Sequence, residues 1–98
     1  NHLNQLIQKY NGSYVLAITA YNAGEGNVNK WINERGDPRK LKKVDGVVAW
    51  IENIPFSETR SYVQYVLSNL QIYRNLLLSN QKKNLRKIHI DLKQDLIL

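Results

Sequence analysis

The feature that most constrains this chain is the run Tyr14-Val15-Leu16-Ala17-Ile18-Thr19-Ala20-Tyr21-Asn22-Ala23-Gly24-Glu25-Gly26, nearly unbroken apolar sequence that stops at a Tyr-Asn-Ala-Gly turn. A helix that is apolar around its whole circumference has to be buried around its whole circumference. In a chain of 98 residues, long enough for one domain with a modest core, such a segment is the central helix on which the others pack. Ser13 stands where an N-cap is wanted, and Gly24 where a left-handed residue closes a helix. The last turn carries two hydrogen-bonding side chains, Tyr21 and Asn22, at the point where the chain bends. A buried rod ending in polar groups at a glycine turn makes a suitable wall for a site.

The rest of the chain supplies partners for that rod. Leu3, Leu6, Ile7 and Tyr10 recur at helical spacing before an Asn11-Gly12 break, which predicts an amphipathic first helix. Gly26 is expected to add a second bend, and Asn27 to cap a third helix that buries Val28, Trp31 and Ile32 and ends at Gly36. From Val44 to Ile54 the β-branched residues suit a strand, but nothing nearby would pair with it, so a short helix is expected. Ser57 is the expected N-cap of the longest helix, which runs to about Asn80. Its inner stripe is Tyr62, Val63, Val66, Leu70, Tyr73 and Leu77, widened by Tyr65, Ile72 and Leu76. Beyond it Gln81 to Lys87 is polar and basic, Ile88 to Leu92 alternates like a strand, and Leu96-Ile97-Leu98 is apolar. The expected organisation is an all-α domain of about five helices over residues 1–80, followed by a basic tail, 81–98.

Composition removes several classes of function. There is no cysteine, hence no disulfide and no thiolate metal site. The chain opens on Asn1 and holds no methionine, so a processed or truncated piece is the expectation. No run of about 18 apolar residues is present, so no transmembrane helix is expected. The formal charge of +6 favours anionic surroundings. The excess, however, sits in two local clusters, Arg39-Lys40-Lys42-Lys43 and Lys82-Lys83-Arg86-Lys87, and no basic recognition helix is visible. Nucleic acid is therefore not the expected partner. His2 and His89 lack ligand partners at helical spacing, and neither a metal nor a cofactor is expected. Gly24-Glu25-Gly26 is too short to cradle phosphate. Carboxylates remain: Glu25, Glu34, Glu52 and Glu58, since a glutamate in an apolar setting can keep its proton to near neutral pH. Pattern alone supports a small helical domain with a polar cleft and no particular reaction, with Tyr21 more readily a core aromatic than a site residue.

Two motifs carry a resemblance. Ala20-Tyr21-Asn22-Ala23-Gly24-Glu25-Gly26-Asn27-Val28 resembles the AYNAG-x-G-x-V motif of the soluble lytic transglycosylases of bacterial cell walls. Glu52-Asn53-Ile54-Pro55-Phe56-Ser57-Glu58-Thr59-Arg60-Ser61-Tyr62-Val63 is similar to that family's E-x-IPF-x-ETR-x-YV segment, and Leu67 to Arg74 continues it as a closing helix. The two occur in the family's order, and the resemblance covers roughly residues 1–75. The loop from Arg35 to Asp45 is long for the family, and the tail from Gln81 has no counterpart in it.

The resemblance implies a lysozyme-like domain that cleaves the β-1,4 bond between N-acetylmuramic acid and N-acetylglucosamine and closes a 1,6-anhydro ring without water. It implies peptidoglycan glycan strands as partner and the periplasm or cell envelope of a bacterium as location. Of the residues here, it implies that Tyr21 lines the groove floor beside the catalytic carboxyl, and that Asn22, Ala23 and Gly24 shape the turn. Glu58 matches a substrate-contacting residue, and Tyr62 faces the same cleft. Arg60 is either a substrate contact or, on the preferred reading, a buried partner for a carboxylate. The family's catalytic glutamate sits in a Glu-Ser pair upstream of Tyr-Asn-Ala-Gly, followed by Gly-Leu-Met-Gln; neither occurs in these 98 residues. The expected general acid therefore lies upstream of Asn1, and no residue of this chain takes its place. The alternative is a non-catalytic remnant that binds glycan or a protein.

Overall fold

The computed structural model describes residues 2–41, 43–79 and 81. They form helices α1 (His2–Lys9), α2 (Tyr14–Ala23), α3 (Glu25–Arg35), α4 (Val44–Glu52) and α5 (Ser57–Asn69), with a 3-10 turn at Pro38–Lys40. Residues 72–79 are helical as well, and no strand occurs among the described residues. The all-α class is the expected one, and Val44–Glu52 takes the helical alternative rather than the strand. The expected tail, with its second basic cluster and its strand-like alternation, lies outside the described residues apart from Gln81.

α2 is the central element, packed on α1, α3 and α5. Leu16, Ala17, Ile18, Thr19 and Ala20 are all buried. The hydroxyl in this dry run is satisfied locally, since Thr19 Oγ1 donates to the Val15 carbonyl at 2.6 Å. α1 brings Leu6 and Tyr10 against it. The chain then reverses through Asn11 and Gly12, both at positive φ, and Ser13 caps α2 by accepting the Leu16 N–H.

Where α2 meets α3, the structure corrects the sequence reading. Gly24, at φ 92° and ψ 152°, has positive φ without being left-handed helical; it closes α2 by donating its N–H to Ala20 O and is also the N-cap of α3. One residue therefore makes the whole turn. Gly26 lies inside α3 and adds no second bend. Asn27 is not a cap; its Nδ2 donates back to the Ala23 carbonyl, one of the acceptors that the end of α2 leaves unpaired. Val28 and Trp31 are buried as expected, and Gly36, at φ 92°, ends the helix.

The long helix expected to reach Asn80 is interrupted. α5 ends at Asn69, Gln71 takes φ 63°, and helix resumes at residue 72. The break turns Leu70 outward, 55% exposed, and lets Tyr73 into the core. The stripe that α5 buries runs through Thr59, Val63 and Leu67, of which the sequence reading had only Val63. The N-cap is Phe56 rather than Ser57, with no side-chain capping bond, so the first turn of α5 leaves its N–H groups uncapped by a side chain.

Candidate functional site

The two motifs meet through one hydrogen bond between residues 37 apart in sequence: Thr59 Oγ1 donates to Asn22 Oδ1 at 2.7 Å. Thr59 is 3% exposed, so this contact joins the end of α2 to the start of α5 from inside. Outside it opens a cleft of about 460 Å³ lined by Asn22, Ala23, Phe56, Ser57, Glu58 and Thr59. Glu58 stands exposed in the first turn of α5, where the helix dipole favours a carboxylate. Phe56 is half exposed and meets the buried Trp31 of α3 edge-on, ring centroids 5.1 Å apart.

Of the site residues expected from sequence, the structure brings Asn22, Ala23 and Glu58 to this cleft. Gly24 is the adjoining joint. Tyr62 lies one turn further along α5, half-buried against the core. Tyr21 is neither core nor cleft lining: it is half exposed, and its ring lies 5.9 Å from that of His2 at the start of α1. The apolar run thus outlasts the buried part of α2 by one residue. Arg60 also departs from expectation. Its guanidinium faces the carbonyls of Glu52 and Ile54, at 3.5 and 3.4 Å, and so tethers the end of α4 instead of pairing with a carboxylate.

Two residues of the cleft were not singled out from sequence, Thr59 and Phe56. Thr59 had a usable signal, because it stands four residues before Val63 and eight before Leu67 on one helical face. A threonine on a buried stripe needs a hydrogen-bond partner, and Asn22 is that partner. Phe56 had no such signal; its place depends on Trp31 of another helix.

The other carboxylate of the turn is engaged elsewhere. Glu25 pairs with Lys9 at 2.9 Å, and that bond holds the Lys9 ammonium above its ordinary pKa. At the opposite end of α2 a larger hollow, about 720 Å³, opens between the Asn11–Val15 turn and the Asp37–Lys40 loop. There Asp37 caps the 3-10 turn by accepting the Arg39 N–H and also grips the Arg39 side chain through both its oxygens. That guanidinium holds the Asp37 carboxyl below the usual carboxylate range and lies 5.8 Å over the Tyr10 ring. Trp50 Nε1 donates to Gly36 O and ties the loop to α4.

Comparison with known proteins gives a consistent result. The model of the transglycosylase SLT domain matches residues 1–44, and that of the soluble lytic transglycosylase helical domain matches residues 53–82. The soluble lytic murein transglycosylase of Salmonella typhimurium is 36% identical over 77 residues, 79% of this chain and 11% of the relative. That of Escherichia coli strain K12 is 36% identical over 74 residues, 76% of this chain and 10% of the relative. The chain thus spans about a tenth of the length of the curated relatives it matches. No solved structure matches it. With both motifs joined at one cleft, and both domain models and these relatives in agreement, the chain belongs to the soluble lytic transglycosylase family.

Proposed function

We propose that residues 1–80 are the C-terminal part of a lysozyme-like catalytic domain of a peptidoglycan lytic transglycosylase, and that 81–98 is a separate basic tail. The observation that carries this reading is the Thr59–Asn22 bond, which joins the two family motifs; in the reading proposed, they form one wall of a glycan groove. In the reaction, a glutamic acid protonates the glycosidic oxygen as the bond from it to C1 of the muramic acid breaks. The conjugate base takes the proton of that sugar's C6 hydroxyl, whose oxygen bonds to C1 and closes the anhydro ring. No water is consumed, which separates the scheme from two-carboxylate hydrolysis. The acid needs a pKa raised toward neutrality, which calls for an apolar setting.

In this reading Asn22, Ala23 and Glu58 contact the glycan, Gly24 sets the turn, and Tyr21 and Tyr62 flank the groove. Tyr21, half exposed at the end of α2, is open to a carboxyl brought by a segment outside these residues. The partner is a peptidoglycan strand, and the location the periplasm or cell envelope. Because the chain contains no Glu-Ser pair, it is expected to be inactive alone. Incubation with purified sacculi followed by mass spectrometry tests this, and clear release of anhydromuropeptides overturns it. The same absence favours a second reading, a glycan- or protein-binding domain without catalysis. In that case sedimentation with peptidoglycan is unchanged by Glu58→Gln, whereas the groove reading predicts weaker sedimentation.

A further inference from the structure

We infer that Arg35, which lies outside the cleft, is a positioning residue that sets the width of the cleft by fixing the connector between α4 and α5. The inference rests on the glycan reading above and adds to it a residue of α3 that acts on the groove only through the backbone it holds.

The end of a helix leaves its last carbonyls without intrahelical partners. At the end of α4 those carbonyls meet two arginines from different helices. Arg35, in the last turn of α3, donates from Nη1 to the Asn53 carbonyl. Arg60 of α5 faces the carbonyls of Glu52 and Ile54. Three consecutive carbonyls are thus held by guanidinium groups, at a helix C-terminus that favours cations.

The grip of α3 is not confined to Asn53. Trp31 stands one turn before Arg35 on the same face, and its ring meets that of Phe56 edge-on at 5.1 Å. α3 therefore holds the connector 53–56 at both of its ends. Between them the chain has little freedom, because Ile54 is buried in the core and Pro55 has a fixed φ. The start of α5 has no side-chain cap of its own, so its place follows from the connector. Phe56, Ser57 and Glu58, which line one side of the cleft, stand at that start.

The other side is joined to the same helix. Asn22 and Ala23 line it, and Gly24 alone separates Ala23 from Glu25, the first residue of α3. α3 thus bridges the two sides, through the chain at its beginning and through Trp31 and Arg35 further along. Of these two contacts, Trp31 belongs to the buried core, whereas Arg35 is exposed. Loss of the Arg35 guanidinium is therefore expected to loosen the connector and leave the core packed. A residue that merely capped α4 could be lost without effect on the cleft.

The test combines sedimentation of the 98-residue chain with purified peptidoglycan sacculi, ¹⁵N NMR and thermal unfolding. Arg35→Ala is expected to shift the backbone amide signals of Phe56 and Glu58 and to weaken sedimentation about fivefold, with the unfolding midpoint within about 4 °C of the unaltered chain. Arg35→Lys keeps a cationic donor for the carbonyl and is expected to recover the affinity to within about twofold. Lys30→Ala removes an equal charge from an exposed position of α3 and is expected to leave sedimentation unchanged, which separates geometry from bulk attraction. Should Arg35→Ala fail to fold for want of its aliphatic stem, Arg35→Gln keeps part of that stem without the guanidinium, and the same loss is expected of it. Undiminished sedimentation of the folded Arg35 variants, or a loss no larger than that of Lys30→Ala, overturns the inference and leaves the glycan reading standing. Failure of the unaltered chain to sediment overturns both.

Discussion

The two ends of α2 offer hollows of opposite character. The larger one, beside Ser13 and the Asp37–Lys40 loop, is bordered in part by polar groups that the fold itself engages. Ser13 holds the Leu16 N–H, and the Asp37 carboxylate holds the backbone and guanidinium of Arg39. The smaller one, beside Asn22, is bordered by the Glu58 carboxylate, which has no partner among the described residues. On the proposed reading the smaller hollow is the glycan groove, so size alone does not mark the site. The same holds for charge in the basic loop, since Arg39, part of the cluster that suggested an anionic partner, is neutralised by its neighbour Asp37.

The comparison can be broken most forcefully at the element both hollows share. Leu16 is fully buried at the centre of α2. Leu16→Ala is expected to cost about 2–5 kcal/mol in urea unfolding and to perturb both ends together. A cost below about 1 kcal/mol would remove α2 from its central role. Next, Gly24→Ala should act at one end only. A β-carbon there meets nothing within 4 Å, so the expected loss of about 1–3 kcal/mol comes from backbone strain alone. Backbone amide shifts should then change around Asn22 and Phe56 and leave Asp37 unmoved; changes spread over both ends would refute their independence.

Smaller effects belong to the Asp37 end. Arg39 lowers the Asp37 pKa below its ordinary 3.8. A carboxyl lowered on folding contributes stability that is complete above the unfolded value and is lost as pH falls through the lower folded one. Asp37→Asn, which keeps an oxygen for the cap, is expected to cost less than about 1 kcal/mol at neutral pH and to flatten that acid limb in thermal melts. An unchanged limb would mean that the ion pair adds nothing. Smallest is Tyr10→Phe. The Tyr10 hydroxyl is buried with no hydrogen-bond partner among the described residues, and burial pushes its pKa up. Removing it is expected to leave stability equal or to raise it by up to about 1 kcal/mol; a clear loss would reveal a partner for the hydroxyl.

How much of this was legible follows from how local each signal is. The burial of α2, the Ser13 cap, the Gly36 stop and the Val28–Trp31 face are short-range patterns, and the sequence displays them directly. The break at Gln71 is not, for no glycine or proline marks it. Across it Tyr73 joins the core and Leu70 is exposed, an exchange that depends on long-range packing and leaves no local mark. Gly24 and Gly26 look alike on paper, and only the packing of α3 against α2 decides that the first takes the positive φ. At the cleft, both motifs contribute lining residues, and the spacing of Thr59 to Val63 and Leu67 marks it as buried, but its partner Asn22 comes from another helix and leaves no local signal.

The use of Gly24 as both the last cap of one helix and the first cap of the next has a bearing on inheritance. With no linker between α2 and α3, one added residue would turn α3 by roughly 100° about its axis. That rotation would carry Trp31 away from Phe56 and strip the cleft of its aromatic support. Exposed positions between Asn22 and Trp31, such as Asn29 and Lys30, can change without touching this register, whereas an insertion or deletion is expected to break it. The interval behaves as a ruler, and is expected to pass intact between descendants whose surface loops differ in length.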